Sequence, residues 1–199
     1  MEKEAFALLA TAMIFASRAY YFTQVMRGNT RPHAFSWFIW GVISSIGVAA
    51  QIAEGAGVGS YPRLFGAVSC FVIVALCFKL GEKNIKRVDW ITLGVALLTI
   101  PLWVITKTPI WSVILVCIID TMGYIPTVRK AWEKPEQEAV WGYFISGIGA
   151  MFSILAIETY TPSTWLYAAV LTVSNCTMAS YLLLRRRSAT VAIPVKAEI

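Results

Sequence analysis

Seven stretches of this chain run apolar for close to the length, about twenty residues, that a helix needs to cross a hydrocarbon layer. They lie at about 4–26, 35–54, 59–80, 89–106, 109–131, 138–158 and 162–184. The connections between them are short and rich in turn formers, as in "EGAGVGS", "EKPEQE" and "TYTP". Hydrophobic residues make up 58% of the 199 positions and charged residues only 14%. A soluble domain is about half apolar and a quarter charged. The excess points away from a large soluble core and predicts an all-α integral membrane protein with seven transmembrane helices. The first stretch reads as a span and not as a leader, because its flank "MEKE" is not basic and Arg18 interrupts the apolar run.

The net charge of +6 is carried by cations placed between the apolar runs, so it reports topology and not a nucleic-acid surface. Arg27 and Arg31, then Lys83, Lys86 and Arg87, then Arg129, Lys130 and Lys134, then Arg185, Arg186 and Arg187 all fall on one side. Cytoplasmic loops collect Lys and Arg, which predicts an outside N-terminus and a cytoplasmic C-terminus in a bacterial-type plasma membrane. The four cysteines, Cys70, Cys77, Cys117 and Cys176, lie inside apolar runs without ligand spacing and read as buried thiols.

The chain also carries an internal repeat. "YFTQVMRGNTRP" (21–32) aligns with "YIPTVRKAWEKP" (124–135). Tyr21 matches Tyr124, Val25 matches Val128 and Pro32 matches Pro135; Arg27 matches Lys130 and Arg31 matches Lys134. One inserted residue later Trp37 matches Trp141, and farther on Glu54 matches Glu158. Spans one to three therefore correspond to spans five to seven. Three spans reverse the chain across the bilayer, so a second copy in the same orientation needs one more crossing, which the fourth span supplies. The predicted organisation is a first three-helix repeat (1–80), a cytoplasmic loop with a linker helix (81–106), a second three-helix repeat (107–187) and a disordered cytoplasmic tail (188–199). Parallel repeats related by an axis along the membrane normal are a known transporter plan.

With these features the chain resembles the PQ-loop superfamily, which includes the SWEET sugar transporters. Members carry Pro-Gln near the cytoplasmic end of the first helix of each repeat, followed by basic residues. Here the dipeptide is divided: Thr23-Gln24 keeps the Gln and Pro126-Thr127 keeps the Pro. The resemblance implies a substrate-facing Asn midway along the third helix of each repeat. Asn175 fits in the second copy, whereas the matching stretch near Cys70 and Phe71 has none. The PnuC-type vitamin transporters share the same three-plus-one-plus-three plan and take aromatic nucleosides, a ligand class that "WFIW" (37–40) would suit.

Several polar residues fall where hydrocarbon is expected. Asp120 lies near the middle of the fifth span, where a carboxylate costs about 2.5–3.5 kcal/mol on insertion scales and must face a cavity, find a partner or be protonated. Arg18 falls within a position or two of its repeat equivalent. The two can pair, or they can hold the two ends of a polar or zwitterionic substrate; Arg18 can alternatively snorkel to the headgroups. Asn175 with Ser174 forms a second polar patch, and Gln51 is a weaker candidate substrate contact. Pro126, one turn beyond Met122 and Gly123, suits a hinge for alternating access, with Thr23, Gln24 and Thr127 at the motif positions. Glu54 and Glu158 mark a candidate outer gate. Trp37, Trp90, Trp111, Trp132, Trp141 and Trp165 read as an interfacial aromatic belt.

The leading functional expectation is a transporter or facilitator of a small polar solute, sugar-like or vitamin/nucleoside-like, open to proton coupling through Asp120. The alternatives are a non-transporting scaffold or accessory protein and a seven-helix receptor. An opsin needs a span-seven Lys, and none is present. No His cluster, Cys–His pair or nucleophile–base spacing supports an enzyme, a metal site or a cofactor. The expected partners are the lipid bilayer and the solute, with no nucleic acid; a homo-oligomer is compatible with the reading.

Overall fold

The computed structural model describes residues 2–53, 61–105, 109–157 and 160–191. These residues form an all-α structure of seven helices: α1 (Glu2–Met26), α2 (Ala34–Ala53), α3 (Tyr61–Leu80), α4 (Arg87–Ile105), α5 (Pro109–Glu133), α6 (Val140–Leu155) and α7 (Pro162–Val191). A short 3₁₀ turn, Pro135–Gln137, follows α5. Glu2–Met26 and Trp165–Ser188 are long and apolar enough to cross a membrane, and shorter apolar helical stretches lie at Ala34–Ser45, Leu64–Leu80 and Val140–Leu155.

Local chemistry explains the helix ends on the basic side. α1 stops because Gly28 enters the left-handed region at φ 76°, which only glycine adopts freely. Gly28 N–H then reaches Val25 O and Asn29 N–H reaches Gln24 O, both at 3.0 Å, closing a Schellman motif over the last carbonyls. At the end of α3, Lys83 Nζ donates to the Cys77 and Phe78 carbonyls. α4 begins as a capping arrangement, with the Asp89 carboxylate in its first turn accepting the Lys86 backbone N–H at 2.8 Å. Pro162 opens α7, where its missing N–H has no intrahelical partner to lose.

α2 packs along α3, and α6 packs along α7. α1 lies against α6 and α2 lies against α5, so the contacts between the two sequence copies are made by equivalent pairs of helices. α7 also packs on α5, α1 touches α3 only lightly, and α4 covers the outer side of α5 and reaches α2. α1 and α7 approach α6 closely because glycines line it. A Cβ at Gly149 would stand 3.2 Å from Met13 Cβ, and one at Gly147 only 2.7 Å from Cys176 Sγ.

Most boundaries fall within a few residues of the sequence expectation, and two of the shifts have a local cause. α6 begins at Val140, because Glu138 is held in a buried polar layer outside the helix. α7 continues past the basic cluster to Val191, so the first residues assigned to a disordered tail are helical. No proline or glycine interrupts that stretch, and Ser188 Oγ bonds back to Leu184 O at 3.1 Å.

Candidate functional site

A cavity of about 460 Å³ lies between the two sequence copies, walled by all the helices except α4. Arg18 from α1, Asp120 from α5 and Asn175 from α7 all line it. Its far reaches, away from the basic loops, are set by Thr11, Phe65, Val116 and Ala150.

The two charged groups share the cavity without satisfying each other. Among the described residues no ion pair joins them. The Arg18 guanidinium lies 5.0 Å from the centroid of the Trp37 ring, a cation–π contact, and its Nε is buried without a hydrogen-bond partner. Asp120 is 3% exposed; Oδ1 accepts a long hydrogen bond from Tyr167 Oη at 3.4 Å and Oδ2 has no partner. Arg18 therefore neither snorkels away from the interior nor locks to Asp120. Three neutral lining groups donate to backbone carbonyls. Asn175 Nδ2 donates to Leu171 O at 2.9 Å, Ser17 Oγ to Gly142 O at 2.7 Å and Thr11 Oγ1 to Ala7 O at 2.8 Å.

A closed circuit of five aromatic rings forms the floor on the basic side. Tyr21 meets Trp37 at 4.6 Å, Trp37 meets Trp40 at 5.3 Å, and Trp40 meets Tyr124 at 4.9 Å between centroids. Tyr143 closes the ring at 6.3 Å from both Tyr124 and Tyr21. Polar edges fix their orientation: Trp37 Nε1 donates to Tyr21 Oη and Trp40 Nε1 to the Asp120 carbonyl, each at 3.2 Å. Trp37 is thus a buried cavity residue and not part of an interfacial belt, which corrects the sequence expectation. Its neighbours in that expectation, Trp90, Trp111, Trp132, Trp141 and Trp165, are exposed.

Beneath the aromatic floor lies a buried ionic layer that the sequence reading missed. Lys130, 1% exposed, pairs with Glu138 and donates to the Arg31 and Gln137 carbonyls. Glu138 also accepts from Tyr143 Oη at 3.1 Å, which ties this layer to the floor. Arg129 grips Asp89 with two hydrogen bonds, Nε to Oδ1 at 2.8 Å and Nη2 to Oδ2 at 2.7 Å, and also donates to the Asn84 carbonyl. His33 sits in the loop before α2 with Nε2 3.3 Å from Asp89. Burial drives the His33 pKa down to about 4, and Arg129 and Lys130 push the same way against the pull of Asp89, so the ring is neutral at ordinary pH. Thr127 Oγ1 donates to Ser36 Oγ at 2.8 Å, joining α5 to α2 within the same layer. The acids that pair here stand at the predicted ends of spans, close in sequence to other cations such as Arg87 and Lys134, so nothing local marks them as buried.

The remaining candidates divide. Ser174 is partly buried in α7 but does not line the cavity. Gln51 belongs to α2, with its side chain outside the described residues, and Glu54 and Glu158 lie outside them altogether. Thr23 bonds to the Ala19 carbonyl, and Gln24 Oε1 accepts from Asn29 Nδ2 at 3.0 Å, so both serve the end of α1. Pro126 is inside α5, which runs continuously through it. Gly123 has a packing role, since a Cβ there would stand 2.6 Å from Trp40 Nε1. No protein-family model, curated protein or solved structure matches the chain.

Proposed function

We propose that this chain is a multi-pass membrane transporter that moves a small polar solute by exposing one cavity alternately to the two sides, in the manner of the PQ-loop and SWEET-like proteins that its sequence resembles. The observation that carries this reading is a cavity between the two sequence copies, holding buried polar atoms with unmet hydrogen bonds and backed on one side by an aromatic floor and an ionic layer. A scaffold has no use for such a space, because an unmet buried polar atom costs free energy that a ligand or solvent must recover.

The membrane setting is supported by the outer faces of the helices. Leu8, Phe78, Ile91, Leu98, Leu184 and Val173 are all more than 60% exposed. Apolar surface on that scale is costly in water and normal in lipid. The basic loops, by the Lys/Arg bias, face the cytoplasm. The conformation described is then closed inward, with α1, α2, α5 and α6 sealed at their cytoplasmic ends. Transport needs weak binding from each side and a change of access, with no covalent step; Pro126 in α5 is the proposed flexure.

The test is uptake by liposomes containing the purified chain. Uptake of a small polar solute above protein-free vesicles supports the reading, and dependence on a pH gradient that is lost in Asp120→Asn adds proton coupling. Failure to take up any of a panel of sugars, nucleosides, vitamins and amino acids would remove it.

A further inference from the structure

The unmet capacity in the cavity is specific in kind. Of the polar groups lining it, the two left with buried atoms lacking any partner are the ionisable ones, Arg18 at Nε and Asp120 at Oδ2. Of the neutral donors, Asn175, Ser17 and Thr11 are bonded to carbonyls of the protein, while Ser44 and Ser146 also line the cavity. A guanidinium and a carboxylate that share one cavity without pairing are each incomplete, and each calls for a group of opposite charge.

Resting on the transport reading above, we propose that the solute is a small zwitterion of the α-amino-acid type, its carboxylate on Arg18 and its ammonium on Asp120. Arg18 suits a carboxylate because its planar fork presents paired donors, and Trp37 beneath it keeps the guanidinium aimed into the cavity. Asp120 suits an ammonium because its second oxygen is free and Tyr167 holds the first. A singly charged solute completes one group and leaves the other buried and unmet. A neutral polyol can meet lining hydroxyls such as Ser44 and Ser146 but leaves both charges unmet. The rest of the solute faces the aromatic floor, where Trp40 and Tyr124 provide apolar surface, so the favoured zwitterion carries a flat apolar side chain.

The experiment is a binding titration of the full chain in detergent with L-phenylalanine, its N-acetyl derivative and its amide, read by tryptophan fluorescence and thermal shift. These three ligands share a side chain; the N-acetyl derivative lacks the ammonium and gains an acetyl group, and the amide lacks the carboxylate. L-Phenylalanine is expected to bind at least about thirtyfold more tightly than either derivative. Arg18→Gln should abolish the preference for L-phenylalanine over the amide, and Asp120→Asn the preference over the N-acetyl derivative. Each variant keeps affinity for one ligand, so retained binding reports an intact fold. Equal binding of the amide and the zwitterion, or preferences unchanged by both variants, would overturn the assignment. Uptake of a sugar or nucleoside in liposomes together with no binding of L-phenylalanine would refute the zwitterion and leave the transport reading standing. Absence of all uptake would refute the transport reading itself.

Discussion

Lys130 is the residue whose loss should be felt most. Its ammonium is buried and serves three acceptors: the Glu138 carboxylate, the Gln137 carbonyl at 3.1 Å and the Arg31 carbonyl. Two of these belong to the loop between α5 and α6, and the third to the loop between α1 and α2, so one side chain fastens equivalent loops of the two sequence copies. Lys130→Met keeps much of the apolar stem and removes the charge. Glu138 is then left buried with only the Tyr143 and Tyr21 hydroxyls beside its carboxylate, and Arg31 O loses its donor. Breaking a buried pair from one side costs about 3–5 kcal/mol, and the orphaned carbonyl places this variant at the upper end. Glu138→Leu leaves Lys130 with two carbonyls, so its cost falls near the lower end, about 3 kcal/mol. The double variant removes both charges and should cost less than the sum of the singles by about 2–3 kcal/mol, the upper part of the range for residues in direct contact. Equilibrium unfolding in mixed micelles, followed by tryptophan fluorescence, supplies the double-mutant cycle. Additivity within about 0.5 kcal/mol would show that the pair is not coupled and that the ionic layer does not hold the loops together.

Other substitutions probe separate contacts. Gly123→Ala should destabilise by about 1–3 kcal/mol through overpacking against Trp40, whereas Gly66→Ala, with nothing within 4 Å of its Cβ position, should be neutral or stabilising by about 0.4–1 kcal/mol; thermal unfolding compares the two. The His33 pKa is depressed in the folded state, so the unfolded chain takes up the proton first as pH falls. Stability from this group is complete above about pH 6.5 and is lost as pH drops toward about 4. His33→Gln should flatten that window by up to about 3 kcal/mol, seen as a smaller fall in melting temperature between pH 7 and pH 4. Arg129→Met strips Asp89 of its two-pronged partner and should cost about 3–5 kcal/mol, and Arg129→Lys should recover only part of it because an ammonium cannot reproduce the fork. Equal stability of the Lys variant and the parent would remove that geometric argument.

The helices were legible because their signal is length and composition, which no tertiary contact has to supply. Arg18, Asp120 and Asn175 could be picked out for a similar reason: a polar group in an apolar run stands out before its surroundings are known. The repeat alignment then placed Arg18 and Asp120 at similar depth, and both line the one cavity. What the sequence hid was pairing over long separations. Lys130 and Arg129 read as loop cations, yet both are spent on acids that lie near span ends, Glu138 and Asp89. Trp37 follows the same pattern: an indole a few residues from a loop looks interfacial until Tyr21, 16 positions earlier, is found beneath it. Gly123 suggested flexibility by type, but its need is room for Trp40, a residue on another helix.

The glycine-lined contacts of α6 carry one more consequence. Where neighbouring side chains seat directly on the glycines of α6 there is little slack for sliding, so α1, α6 and α7 are expected to move as one block. α1 has only a light hold on α3, its neighbour in the same sequence copy. A line of division that follows the weakest grip therefore cuts through the first copy, between α1 and α3. Under the transport reading, the boundary of the sequence repeat and the boundary of motion then differ. If the chain alternates access as proposed, spin-label pairs spanning α1 and α6 should keep their separation, while pairs spanning α1 and α3 record the change.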